Sequence, residues 1–97
     1  MEYEIERTDI FDKWLGKLKD RRAVMAIIKR IDRAKIGNLG DVEPVGEGIS
    51  EMRIFVGKGY RLYFTICGGK VILLLCGGDK STQQKDIKKA KEMAKLI

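Results

Sequence analysis

Arg53, Arg61, Tyr63 and Lys80 are the side chains of this sequence best suited to chemistry, with Glu51 the one carboxylate near enough to assist them. Alternation through residues 49–56 puts Glu51 and Arg53 on one side of a strand, and alternation through 60–67 puts Arg61 and Tyr63 on one side of the next. Two guanidinium groups and an ammonium can hold the non-bridging oxygens of a phosphate through paired, charge-assisted hydrogen bonds. A tyrosine beside them offers a hydroxyl to a base or ribose, or a ring on which a base can stack. Lys80 falls where a helix is expected to start, a place that favours an anion. Glu51 is the candidate general base. An RNA phosphodiester would need little more, because its own 2′-hydroxyl is the nucleophile; deprotonation, charge stabilisation and a proton for the leaving 5′-oxygen complete the step. Crowded cations also depress the pKa of a neighbouring Lys or Tyr, which eases proton transfer. The bland alternative is that these are ordinary cross-strand pairs on an exposed sheet face.

Composition narrows the chemistry. The chain has no His, so a His-dependent triad and a His-ligated zinc site are excluded, and neither a metal nor a cofactor is expected. Cys67 and Cys76 occupy apolar strand positions without metal-ligand spacing and read as buried free thiols in a reducing cytoplasm. The longest apolar run, Val71–Cys76, is too short to span a membrane, and no signal-peptide pattern is recognisable. The net charge of +6 is unevenly distributed: residues 21–40 hold six Lys/Arg against Asp32 alone, and residues 81–97 hold five Lys against Asp86 and Glu92. Such segregation suits a polyanionic or acidic partner, although lysine-rich helix faces are often merely solvated.

The elements that must position these groups follow from periodicity. Residues 1–7 alternate Tyr3 and Ile5 with glutamates and read as a half-exposed, charge-protected edge strand. Thr8 or Asp9 caps a first helix carrying Phe11, Trp14, Leu15 and Leu18, with Trp14 a core anchor. Asp20 caps a second helix with the stripe Val24, Ile27, Ile28, Ile31 and Ala34 or Lys35, ended by Gly37. Arg21, Arg22, Lys29, Arg30 and Arg33 fall off that stripe, as either a solubilising face or a backbone-contact surface. Residues 41–48 form an extended connection or edge strand around the only proline. Three antiparallel strands follow. A three-residue Gly57–Gly59 loop would pair Ile54 with Leu62 and Arg53 with Tyr63; a two-residue Gly68-Gly69 turn would pair Leu62 with Leu75 and Phe64 with Leu73. Ser81 or Thr82 then caps a last helix with the stripe Ile87, Ala90, Ala94 and Ile97. The expectation is one α+β domain over residues 1–97: an N-terminal strand and helical hairpin packed on one face of a mainly antiparallel sheet, with a short C-terminal helix closing an end.

The runs Glu51-Met52-Arg53-Ile54, Gly57-Lys58-Gly59-Tyr60-Arg61-Leu62-Tyr63-Phe64 and Leu73–Gln83 resemble the RelE/ParE toxin superfamily, and more narrowly its HigB-like branch of addiction-module killer proteins. The likeness extends over nearly the whole chain, and the Leu-Leu-Leu-Cys-Gly-Gly-Asp-Lys-Ser-Thr-Gln run is its most specific part. The resemblance implies a RelE-like fold and the toxin of a type II toxin–antitoxin module, a metal-independent endoribonuclease that cuts mRNA in the ribosomal A site. It implies a small helix-turn-helix antitoxin as partner, with operator DNA met only through that antitoxin. Arg53 and Arg61 match basic strand positions that hold phosphate in ribonuclease members, Lys80 matches the corner where further catalytic groups stand, and Tyr63 matches more loosely. On this reading the catalytic set is Arg53, Arg61, Lys80, Tyr63 and Glu51, and the RNA is also held by Lys58, Ser81, Thr82, Arg30, Arg33 and Lys85. Several ribonuclease members use a His or a Tyr near the C-terminus, and this chain ends Met93-Ala94-Lys95-Leu96-Ile97 instead. Two other outcomes therefore stand beside the nuclease: a ParE-like inhibitor of DNA gyrase, and a degenerate domain that binds antitoxin or RNA without catalysis.

Overall fold

The computed structural model describes residues 2–97. Met1, the first residue of the expected edge strand, lies outside them. The order is β1 (Glu4–Arg7), α1 (Asp9–Lys17), α2 (Arg21–Lys35), β2 (Val42–Gly46), β3 (Ile49–Ile54), β4 (Tyr60–Cys67), β5 (Val71–Gly78), a 3₁₀ turn (Lys80–Thr82) and α3 (Gln83–Ala94). The five strands form one sheet in the order β1-β5-β4-β3-β2, antiparallel except for the β1–β5 pair. This is the expected α+β architecture. No helix among the described residues is long and apolar enough to cross a membrane.

Local signals explain the helices. Thr8 accepts a hydrogen bond from Phe11 N and caps α1, and Asp20 accepts from Ala23 N and caps α2. The buried row of α2 is Ala23, Ile27, Ile31 and Ala34, whereas Ile28 is exposed. The inward row is thus rotated from the expected stripe, with Ala23 and Ala34 turned in and Ile28 turned out. Together α1 and α2 seal one sheet face over Phe11, Ile27, Met52, Leu62, Phe64, Ile72 and Leu74.

Three corrections concern the rest. First, α3 does not close an end: it lies on the second sheet face, where Ala90, Ile87, Met93 and Ala94 pack with Ile49, Tyr63, Leu75 and Cys76. The polar-looking face is therefore a second, smaller core. Second, β3 and β4 pair Arg53 with Arg61, Glu51 with Tyr63 and Ile54 with Tyr60. The connection is a five-residue loop: Val56 N bonds Ile54 O at 3.0 Å and Gly59 N bonds Val56 O at 3.1 Å, which takes Phe55 and Val56 out of the ladder. Because the slide is two residues, every side chain keeps its expected face and changes its partner. Third, β4 and β5 turn through Gly68, Gly69 and Lys70, and the register shifts between Tyr63 and Phe64, so that Leu62 meets Gly77 and Phe64 meets Leu74. The extra residue, Leu75, makes a bulge that reverses the alternation beyond it. Gly77 consequently faces α1 and Gly78 faces α3. A Cβ at Gly77 would penetrate the Trp14 ring, and one at Gly78 would overlap the Asp86 carboxylate. The double glycine is required by close approach on both faces.

Candidate functional site

The β3–β4 loop and the corner after β5 converge at one end of the sheet. Arg53 and Arg61 are direct cross-strand partners there, an arrangement that like charges disfavour unless neutralised. Each has its own carboxylates. Arg53 Nη2 lies 3.1 Å from Asp41 Oδ1 and 3.4 Å from Glu43 Oε1, both from the β2 side, and this company holds its guanidinium firmly protonated. Arg61 is 8% exposed; its Nη1 donates to Gly59 O at 2.7 Å, and its Nε lies 3.6 Å from Glu51 Oε2 without a hydrogen-bond acceptor of its own. The Arg61 head is thus fixed in direction by the loop and by Glu51.

Glu51 is 2% exposed and does not reach solvent. Its Oε2 accepts from Tyr63 Oη and from Gln83 Nε2, both at 2.9 Å. Tyr63 is fully buried beneath α3, and its phenol pKa is driven upward, first by burial and then by the Glu51 hydrogen bond and charge, with Arg61 opposing weakly. The expected depression by crowded cations is reversed, because the hydroxyl faces a carboxylate rather than the lysines. Tyr63 stays a protonated donor to Glu51 and offers no ring face to a base. Glu51, Tyr63 and Gln83 form the buried support behind Arg61.

The exposed part of the corner is cationic. A shallow hollow of about 540 Å³ is lined by Lys58, Asp79, Lys80 and Ser81. Lys80 N reaches Lys58 O at 3.4 Å, which joins the two loops. Above Gly59, a Cβ would sit 3.5 Å from Arg61 Nη1 and 3.6 Å from Lys80 Cβ, so these two cationic residues flank the same glycine. Asp79 caps the 3₁₀ turn: its carboxylate accepts from Ser81 N at 2.8 Å and from Ser81 Oγ, while its N–H bonds Thr82 Oγ1 at 3.4 Å; Thr82 is the N-cap residue of α3, as expected, but makes no side-chain capping bond there. The Ser81 hydroxyl bond lowers the Asp79 pKa, with Lys58 helping and partial burial opposing. Thr82 also donates to Asp86 Oδ2 at 2.6 Å, so both hydroxyls already have partners.

The remaining predicted residues divide. Arg30 is half-buried and its guanidinium is engaged: it donates to the carbonyls of Arg53, Leu39 and Asp41, pinning the segment before β2 to the end of β3. Arg33 and Lys85 are exposed on α2 and α3 and do not line the hollow. Sequence reasoning passed over Gln83, Asp41 and Glu43. Gln83 had a signal: it extends the α3 stripe Ile87, Ala90, Ala94 back by one turn and so had to point at the sheet.

The family described as phage derived protein Gp49-like matches residues 13–95. This chain belongs to that family. An uncharacterized protein of Haemophilus influenzae is 52% identical over 97 residues, spanning 100% of this chain and 98% of that one. The Gp49-like chain is also similar in structure to the toxin RelE of E. coli, as a mutant in the free state, with TM-score 0.68 at 15% identity over 91% of this chain and 97% of that chain. The toxin–antitoxin complex RelBE2 of Mycobacterium tuberculosis gives TM-score 0.66 at 20% identity over 82% and 100%. The archaeal RelE–RelB complex of Pyrococcus horikoshii gives 0.63 at 18% over 82% and 97%. The fold of this Gp49-like protein is that of the RelE-like toxin superfamily.

Proposed function

We propose that this Gp49-like protein is the toxin of a type II toxin–antitoxin module, of the HigB-like branch, acting in the cytoplasm as a metal-independent endonuclease on ribosome-bound mRNA. The observation that carries the reading is the Arg61 guanidinium, held in direction by Gly59 O and Glu51 beneath the loop whose Lys58, with Lys80, borders an open hollow on a RelE-like fold. Arg61, with Lys58 and Lys80, binds the scissile phosphate and stabilises the charge that develops on it. Arg53, tied to Asp41 and Glu43, holds the strand end to the β2 side. Lys80, an exposed ammonium, gives a proton to the leaving 5′-oxygen, and the proton of the attacking 2′-hydroxyl goes to solvent water. Glu51 and Tyr63 act through Arg61 as positioning residues. The partner is a helix-turn-helix antitoxin that meets operator DNA on the toxin's behalf, a reading supported by the RelE relatives whose structures are complexes with their antitoxins.

One observation favours a second reading. The hydroxyls of Tyr63, Ser81 and Thr82 and the Glu51 carboxylate all have partners within the protein, as a binding domain without catalysis, or a gyrase inhibitor, would have. The experiment induces the wild type, Arg61→Ala and Lys80→Ala in a bacterium and maps mRNA 5′ ends. New in-frame cuts, lost in both variants, are expected. Growth arrest with intact mRNA and altered plasmid supercoiling would replace the nuclease by the gyrase inhibitor.

A further inference from the structure

Three hollows meet along one side of the molecule, and their linings include six lysines. The first, of about 540 Å³, is the one between Lys58 and Lys80. The second, of about 460 Å³, runs from Lys58 past Tyr60 to Lys17 and Lys19. The third, of about 360 Å³, runs from Lys17 over Trp14 and Gly77 to Lys13 and Lys89. Lys58 belongs to the first and second and Lys17 to the second and third, so the three make one path. It leads from the Arg61–Lys80 corner across the end of α1 to the outer side of α3. Among the described residues none of the six lysines is engaged in an ion pair. The two carboxylates along the way, Asp20 and Asp79, are turned to backbone N–H groups as helix caps. The floor of the third hollow is apolar: the half-buried Trp14 lies there against Gly77, beside Ile10.

We propose that this path is a binding site for single-stranded RNA, which it leads into the Arg61 corner. Cations repeated along its length match a phosphodiester backbone, and the indole floor matches the face of a base or sugar, the combination by which single strands are held without sequence preference. An acidic protein segment would match the charge but has no use for the aromatic floor. The orientation of the strand rests on the nuclease reading; the binding itself stands with or without cleavage.

Trp14 is the only tryptophan, and its emission reports the third hollow and the adjoining Tyr60 side of the second. The probe is a 2′-O-methyl RNA oligonucleotide, which lacks the attacking hydroxyl and cannot be cut. The expected result is quenching of Trp14 with an affinity that falls steeply with salt. In Lys13→Ala/Lys17→Ala/Lys89→Ala, all exposed positions, binding weakens about tenfold or more and the log–log salt slope flattens by about 2, at about 0.7 per lost phosphate contact. Arg61→Ala/Lys80→Ala still shows Trp14 quenching, at an affinity lowered by the loss of Lys80 from the first hollow, which assigns the signal to the part of the path beyond the corner. Absence of quenching, an unaltered affinity in the triple variant, or equal quenching by a polyglutamate peptide would overturn the proposal. Oligonucleotide binding by a wild type that leaves mRNA intact would instead remove the nuclease and leave the path standing.

Discussion

Replacing Arg61 by alanine should damage this protein in two separable ways. Arg61 is almost entirely buried, and its loss leaves Glu51, itself 2% exposed, without its ion-pair partner. Breaking a buried ion pair from one side costs about 3–5 kcal/mol. Here the Nε–Oε2 distance of 3.6 Å is beyond a hydrogen bond, and Glu51 keeps its bonds from Tyr63 and Gln83, so the lower end, about 3 kcal/mol, applies. A domain stable by about 5–15 kcal/mol survives such a loss but unfolds earlier. Adding Glu51→Gln removes the stranded charge while keeping the shape, so the double variant should recover about 1.5–3 kcal/mol of that loss, the coupling expected for residues in one network. Urea unfolding followed by the single tryptophan measures all four corners of the cycle.

Activity must behave differently. If Arg61 stabilises charge on the phosphate, its loss lowers single-turnover cleavage of ribosome-bound mRNA by about 10²–10³-fold, and restored folding does not restore it. A double variant that regained both stability and cleavage would show Arg61 to be a structural residue and refute its catalytic placement. A coupling energy under about 0.5 kcal/mol would equally refute the picture of Glu51 as the support of Arg61.

Three further outcomes are expected. Arg30→Ala, which strips three carbonyls of their donor, should cost about 2–3 kcal/mol in urea midpoint measurements, whereas Arg33→Ala on the exposed side of the same helix should stay within about 0.5 kcal/mol. The raised Tyr63 pKa means the native state keeps a proton that the unfolded chain releases above about pH 10, so stability is complete below that pH and falls above it by up to about 1.4 kcal/mol per pH unit; Tyr63→Phe should flatten this alkaline arm relative to the wild type. Burial pushes the Cys76 thiol up to about 11, so iodoacetamide at neutral pH should label the half-exposed Cys67 and spare Cys76 until the protein unfolds, as read by mass spectrometry.

What the sequence made legible depended on whether the governing physics was local. The caps Thr8 and Asp20 and the faces of β3 and β4 follow from side chains within a few residues of one another, and these were readable. Register was not. Whether Arg53 opposes Tyr63 or Arg61 depends on how many residues the loop consumes, and the alternation of residues 49–56 runs straight through Phe55 and Val56, which leave the ladder. The bulge at Leu75 was hidden for the opposite reason: a strand apolar on both faces has no alternation left to break.

These two silent features decide the site. The loop sets the two arginines side by side, and the bulge turns Gly77 and Gly78 so that α1 and α3 can approach the same strand from opposite faces. Once α3 is on the second face, the residues alternating with its core become interior. That converts Tyr63 and Glu51 from exposed reactants into a buried brace and recruits Gln83, at the inward end of the α3 stripe, to hold it. A positively charged sheet face read from sequence thus becomes, in three dimensions, one aimed guanidinium with a lysine rim. The rim lysines, Lys58 and Lys80, are the predicted residues of this corner that have no internal side-chain partner among the described residues. Their side chains are therefore the ones left to meet a ligand from solvent.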